Sequence, residues 1–360
     1  DEGLAIGELH RWVADWNRTA SDRRSPQVGK DTGKTVAIVG AGPAGLTAAL
    51  YLRQKGHGVT LSEAHQKAGG MLRYGIPAYR LPRGPLDDEI DMVRDLGAEF
   101  RMGRRLGVDF SLADLQSSYD AVFLAIGAQI SRQLGCEGQD LARHGVDVLA
   151  QVARGETPEL GSRVVVVGGG NTAMDAARTA LRLGAEVQVV YRRTRREMPC
   201  LLEEVEGAEE EGVDVEYLVA PMRLRRTDDG DIELTCQQME LGEPDSSGRR
   251  RPVPIAGEER VYHCDTVIAA IGQQVELDLV QQVGLEVTGW GIGANPRTLR
   301  TSRPGVFAGG DAVLGADLAV RAIGAGRLAA ASIDQYLAAR PVVGLEEAVN
   351  VVMHPIDDRE

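Results

Sequence analysis

Twice this chain runs from an apolar strand into a glycine-rich turn and straight on into a helix. The first copy reads as a buried strand, Thr35 to Val39, the turn Gly40-Ala41-Gly42-Pro43-Ala44-Gly45, a helix to about Gln54 and a second strand, Val59 to Glu63. The second copy starts at Arg163, with a strand from Val164 to Val167, glycines 168–170, a helix from Ala173 to Leu183 and a strand from Val187 to Tyr191. Strand, helix and parallel strand make one βαβ unit, and such units build parallel sheets covered by helices. The expected fold is α/β with two Rossmann-like nucleotide-binding domains. Two phosphate-binding units imply two nucleotides, or one duplicated domain with an inactive copy.

The first turn has the spacing G-x-G-x-x-G in Gly40, Gly42 and Gly45, with Pro43 and Ala44 opening the helix. Such a turn lets backbone N–H groups at a helix N-terminus reach a pyrophosphate. An acidic residue follows at the end of the second strand, Glu63, where it can accept both ribose hydroxyls and would repel a 2′-phosphate. That suits FAD or NAD; the plainer alternative is a turn that only permits helix–strand packing. The second turn, Gly168, Gly170, Asn171, Thr172 and Ala173, has G-x-G-x-x-A spacing. Its strand ends in Tyr191-Arg192-Arg193-Thr194-Arg195-Arg196, with no carboxylate at the ribose position. Arginine forks bind a 2′-phosphate through charge-assisted hydrogen bonds, so NADPH is favoured over NADH. The alternative is a solvated charged face.

Length and composition narrow the setting. At 360 residues with 43% hydrophobic content, the chain can bury the cores of two or three domains. A net charge of −13, spread along the chain, argues against a nucleic-acid partner. The four cysteines, Cys136, Cys200, Cys236 and Cys264, form no C-x-x-C pair, so no metal site or iron–sulfur cluster is expected on the chain itself. No apolar run reaches a membrane span and no secretory leader is recognisable, which makes the cytoplasm the expected compartment. A start at Asp1 and a charged end read as a piece of something longer.

Residues 4–16 carry apolar side chains at helical spacing, followed by a polar stretch, so 1–32 reads as a docking helix and linker. The stretch Val213 to Ile271 alternates strand-like segments with turn clusters and reads as an antiparallel β-excursion. Val306 to Asp311 reads as strand and turn, and Leu318 to Leu337 as an apolar-faced helix. The first nucleotide domain is therefore expected to be discontinuous, 33–160 with 300–340, around a second domain at 161–299. A tail at 341–360 is left as a possible lead into a further domain.

After Glu63 come Gly69-Gly70 and then Met71-Leu72-Arg73-Tyr74-Gly75-Ile76-Pro77-Ala78-Tyr79-Arg80-Leu81-Pro82. Paired glycines let backbone pass close to a bulky planar group. This phrase resembles the pyridine nucleotide–disulfide oxidoreductase superfamily, and within it the branch containing the glutamate synthase small subunit. The resemblance covers about residues 4 to 340. It implies FAD at the first turn, with Gly69, Gly70 and Leu72 near it, and NADPH at the second, with Arg192 and Arg193 in the nucleotide motif. It also implies nucleotide-contacting crossings at Gly127, after Tyr119 to Ile126, and at Gly272, after Asp265 to Ile271. Gly310 and Asp311 resemble a late FAD motif whose aspartate bonds the ribityl chain, and Ala319 and Val320 open a helix directed at the flavin ring. Leu318 stands where that branch commonly has threonine, and Asp317 is read as an alternative cap for that helix.

The resemblance implies an enzyme in which hydride passes from NADPH to FAD and electrons pass on to an iron–sulfur acceptor, carried by a further domain or a partner subunit, with a larger catalytic subunit as a further candidate partner. No side chain is nominated as acid, base or metal ligand, since the chemistry is the cofactor's. Two other readings stand beside it. One is the NAD(P)H-oxidising part of another iron–sulfur complex, an electron-bifurcating or a formate dehydrogenase-like one. The other is a non-catalytic flavin-binding scaffold or redox sensor.

Overall fold

The computed structural model describes residues 5–20, 26–245, 248–289 and 291–345; most of the 341–360 tail lies outside them. A helix α1 (Ile6–Thr19) comes first. Then β1 (Thr35–Val39), α2 (Pro43–Gln54), β2 (Gly58–Glu63), α3 (Met71–Tyr74), α4 (Arg83–Asp95), β3 (Glu99–Met102), α5 (Leu112–Ser118) and β4 (Ala121–Leu124) build most of a first sheet. The chain crosses at β5 (Ile130–Ser131) into β6 (Arg143–His144), α6 (Gly145–Ala153), β7 (Arg163–Val167), α7 (Asn171–Arg182), β8 (Glu186–Tyr191), α8 (Leu202–Glu210) and β9 (Asp214–Tyr217). Three long strands follow, β10 (Val219–Arg226), β11 (Ile232–Pro244) and β12 (Arg250–Cys264), before β13 (Thr266–Ala269). It returns at β14 (Gln273–Gln274) to α9 (Leu277–Gln282), β15 (Val306–Ala308), α10 (Asp311–Leu314) and α11 (Ala319–Leu337).

The first sheet has the order β15-β4-β1-β2-β3 and the second β6-β13-β7-β8-β9, with parallel pairing throughout both. The expected α/β fold with two Rossmann-like sheets is what the chain adopts. Strands buried on both faces read as continuous β-branched runs, which is why both sheets were visible as apolar segments. On the first sheet Val36, Ile38, Leu61, Phe123 and Phe307 face α2, α4 and α11. Ala37, Val39, Val122, Leu124 and Val306 face the opposite way, onto Val275, Val280, Leu285 and Ile292. On the second sheet Val164, Val166, Val187 and Val189 pack on α7 and α8, while Val165, Val167 and Val190 pack on the antiparallel sheet β10-β11-β12.

Two expectations change. The antiparallel excursion is narrower than 213–271: β9 pairs in parallel with β8 and β13 with β7, because their apolar side chains complete the second core. The division at 160/161 and 299/300 moves as well. β6 joins the second sheet beside β13, and Val275, Val280, Leu285 and Ile292 cover the first sheet, so the two crossings are β5 and β14, which pair with each other. Among the described residues nothing covers the apolar face of the amphipathic helix α1: Ile6, Leu9, Trp12, Val13 and Trp16 are all exposed, and Arg18 reaches Asp88 on α4 at 2.7 Å. No helix among the described residues is long and apolar enough to cross a membrane.

Candidate functional site

The two glycine turns are built alike. Gly40 donates its N–H to Ser62 O at 2.8 Å, and Gly168 donates to Val190 O at 3.1 Å, so each turn is tied to the neighbouring strand. Each first glycine has positive φ, +104° and +149°, and a Cβ there would stand 2.3 Å from Ala125 O or from Ala270 O. Only glycine lets the turn pass the end of the next strand. Gly42 and Gly170 are the N-caps of α2 and α7, neither with a side-chain capping bond, so the first N–H groups of both helices lack that internal acceptor. A bound anion is the natural acceptor for such amides. Both sheets share one further brace: Asp120 accepts from Thr35 N at 2.9 Å, and Asp265 accepts from Arg163 N at 2.8 Å. The Arg163 guanidinium, with the Arg163 and Ser162 hydrogen bonds, pulls the Asp265 carboxyl down to about 2.

Around the first turn, Gly69 donates to Ala41 O at 2.8 Å. Gly70 has φ +52°, and a Cβ there would lie 2.8 Å from the Gly42 Cα, so the two glycine pairs meet backbone against backbone. Glu63 is buried, 6% exposed, and accepts from Ala41 N at 2.8 Å and from His65 N at 2.9 Å. An ionised carboxylate has about four acceptor positions, which leaves two for ribose hydroxyls. Pro43 occupies the first turn of α2, and Ala44 and Gly45 lie buried behind it. Leu72 packs at the edge of the first core, and its carbonyl accepts from Arg83 at 2.8 Å.

The late segment returns to the same turn. Gly310 lies against the Ala44 side chain and precedes Asp311. Burial, and then the neighbouring Asp317, push the Asp311 carboxyl up to about 6 despite one backbone hydrogen bond. A desolvated carboxyl short of donors suits the hydroxyls of a ribityl chain. Ala319 and Val320 form the exposed first turn of α11, Val320 being 66% exposed. Asp317 does not cap α11 through a later amide; it accepts from Leu318 N at 2.7 Å and pairs with Arg321 at 2.6 Å. The folded value of Asp311 lies above the unfolded value near 4, so its penalty is absent below about pH 4 and complete above about pH 6. Asp311→Asn is expected to stabilise the FAD-free chain at pH 8 by about 1–2 kcal/mol after allowance for partial solvation, and to lower flavin retention. Melting curves at pH 8 and pH 4 check this; an equal effect at both excludes titration of Asp311 as the cause.

At the second turn Ala173 is buried under Gly168, Thr172 is half-buried, and the Asn171 Oδ1 accepts from Leu201 N at 3.1 Å. The arginines after β8 divide. Arg192 is exposed. Partial burial of its guanidinium, and then Arg193 and Arg249 nearby, make its charge costlier than in water, a cost that a phosphate dianion would offset. Arg193, expected beside it at the ribose, is 5% exposed instead: it donates to Arg250 O at 2.7 Å and pairs with Asp245 at 2.7 Å, tying β8 to the β11–β12 hairpin. Arg195 reaches Glu209 at 3.0 Å, and Arg196 is exposed.

Gly127 and Gly272 both have positive φ and flank the crossings, where Arg132 N–H donates to Gly272 O at 3.0 Å. No motif or spacing announces the contact between the domains. Arg80, in the segment after the paired glycines, reaches Asp175 on α7 at 2.7 Å and Glu204 on α8 at 2.7 Å.

Residues 34–326 match the family described as pyridine nucleotide-disulphide oxidoreductase. The chain is similar to the NADP(+)-dependent formate dehydrogenase subunit beta of Moorella thermoacetica, 46% identical over 94% of this chain and 52% of that protein. It is also similar to the glutamate synthase [NADPH] small chain of Escherichia coli, 37% identical over 93% of this chain and 75% of that one. Among solved structures, Mycobacterium tuberculosis FprA in complex with NADPH superposes with a TM-score of 0.72 at 18% identity, over 85% of each chain. The chain spans about half the length of the Moorella protein.

Proposed function

The chain belongs to the pyridine nucleotide-disulphide oxidoreductase family, in the branch that holds the glutamate synthase small chain, and from that membership we propose that it is the NADPH-oxidising, FAD-binding portion of a larger redox enzyme. One contrast carries the reading. The first turn ends on a buried carboxylate, Glu63, and the second on an exposed guanidinium, Arg192. A carboxylate accepts ribose hydroxyls and repels a 2′-phosphate, whereas a guanidinium attracts one. Two turns so differently charged suit two different dinucleotides, and a scaffold that bound flavin alone would have no use for the second.

FAD bound at the first turn supplies the acceptor for a nicotinamide hydride. The chain's own residues bind and orient. The free amides of α2 hold the pyrophosphate, Glu63 the ribose and Asp311 the ribityl hydroxyls, with Gly69 and Gly70 leaving room beside them. The first turn of α11, from Ala319 and Val320, places a positive helix end where negative charge develops. At the second turn α7 holds the other pyrophosphate through Gly168, Gly170, Asn171, Thr172 and Ala173, and Arg192 selects the 2′-phosphate. Gly127 and Gly272 let the crossings run close to both nucleotides.

Electrons leave toward an iron–sulfur acceptor on a further domain or partner subunit. The iron–sulfur character is what the family resemblance implies; a further domain or subunit is supported by the relatives' names, which describe subunits of larger enzymes, and by the share of those proteins that this chain does not span. A formate dehydrogenase-type assembly is favoured over a glutamate synthase by the higher identity, 46% against 37%. An anaerobic titration of the FAD-loaded chain tests the core of the proposal. Flavin absorbance should bleach with NADPH at about tenfold lower concentration than with NADH, the effect of one charge-assisted contact. Bound FAD that neither nucleotide bleaches would overturn it.

A further inference from the structure

The two crossing strands do not fix the angle between the domains. β5 and β14 lie side by side, joined through Gln273↔Ser131 and Gln274↔Ile130, and a two-stranded ribbon of that kind leaves rotation about its own axis open. A second tie starts in the segment after the paired glycines. Arg83 donates to Leu72 O and to Ile76 O, each at 2.8 Å, and the amides of Arg80 and Leu81 donate to Pro77 O at 3.1 and 3.0 Å. This arm is thereby braced on the first domain. From it Arg80 crosses to the second domain, with Nη1 on Asp175 Oδ2 and Nε on Glu204 Oε1, both at 2.7 Å. Arg178 pairs with Glu204 at 2.9 Å and Glu211 at 2.6 Å, and Arg182 pairs with Glu211 at 2.7 Å. The Tyr79 ring lies under the Arg182 guanidinium at 3.8 Å and the Arg178 guanidinium at 4.9 Å, a cation–π arrangement.

The cluster sets three arginines against three carboxylates, so its charge is balanced only while Arg80 is in place. The Asp175 side chain is 3% exposed and its Oδ1 has no partner among the described residues. Burial pushes its carboxyl up to about 6, although Arg80 pulls it down. A buried carboxylate whose cation comes from another domain resists separation of the two, because opening strands an unpaired charge.

We propose that Arg80 is a positioning residue: paired with Asp175 and Glu204, beside a Tyr79 ring that stacks on Arg178 and Arg182, it latches the two domains at one angle and so sets the approach of the two bound nucleotides. The second half of this statement rests on the function proposed above; the latch itself does not.

Two readouts separate them. Arg80→Met keeps the side-chain stem and removes the charge. In the FAD-loaded chain, the rate constant of flavin reduction at saturating NADPH should fall about tenfold or more, since an ångström-scale misplacement costs that much, while the Kd for NADPH stays within about twofold. Asp175→Asn should show the same split, and the double variant little beyond either single one. Independently, nitroxide labels at Ser117→Cys and Glu210→Cys, with Cys136 and Cys200 replaced by serine, report the interdomain distance by pulsed electron resonance. Arg80→Met should broaden that distribution. Should Arg80→Met not fold, Tyr79→Ala is read in the same two ways. A wild-type chain that NADPH does not reduce would sink the proposed function and leave the label distances to decide the latch. An unchanged distribution overturns the latch whatever the rate does, and a loss confined to Kd overturns the positioning role.

Discussion

Glu63→Ala is expected to give a chain that loses FAD on desalting and unfolds at lower denaturant even without flavin. Both effects come from one buried carboxylate. Without ligand, Glu63 accepts the Ala41 and His65 N–H groups, and alanine would leave two backbone donors unsatisfied, a cost of about 2–5 kcal/mol. In the proposed function the remaining lone pairs would hold the ribose hydroxyls of FAD, and their loss should weaken retention about a hundredfold. Glu63→Gln keeps one carbonyl acceptor and should fall between the two. Urea titration and flavin content after desalting measure the two effects separately. Full flavin retention would sink the ribose assignment, and an unmoved unfolding midpoint would sink the brace.

The second large effect separates two neighbouring arginines. Arg192→Ala should lower kcat/KM for NADPH by about 10- to 100-fold while leaving NADH almost untouched, the value of a charge-assisted contact to a 2′-phosphate. Arg193→Ala should behave differently because its guanidinium is buried against Asp245 and Arg250 O. Breaking that pair should cost about 3 kcal/mol of folding stability and weaken both nucleotides alike. Steady-state kinetics with each nucleotide, set beside thermal melts, distinguish the two. Selective loss of NADPH in Arg193→Ala would place that side chain at the ribose after all.

What could be read in advance was local. The strands at 35–39 and 163–167 and the turns after them announce themselves through apolar runs and glycine spacing within a few residues. Properties set by distant partners did not. The side chain of Arg193 is decided by Asp245, 52 positions later, and Arg80 by Asp175, 95 positions away. β6 is two residues long and exists because Arg143 and His144 pair with Ile268 and Ala269, which no periodicity reveals. Val275, Val280, Leu285 and Ile292 are spaced by five, five and seven residues, which fits neither a helix nor a strand period, so nothing in their spacing tells which sheet they cover. The apolar stripe of α1 was legible as a stripe, yet among the described residues no part of this chain buries it.

The pairing of β5 with β14 also bears on how such a chain can change over generations. Its second domain leaves and rejoins the first at neighbouring points, with Arg132 N–H and Gly272 O only 3.0 Å apart. Every strand of the first sheet lies outside that stretch, β15 included. The domain proposed to choose the reductant is therefore a cassette with adjoining ends, replaceable by another of different nucleotide preference without re-threading a strand. What such an exchange would have to re-create is the matching carboxylate for Arg80.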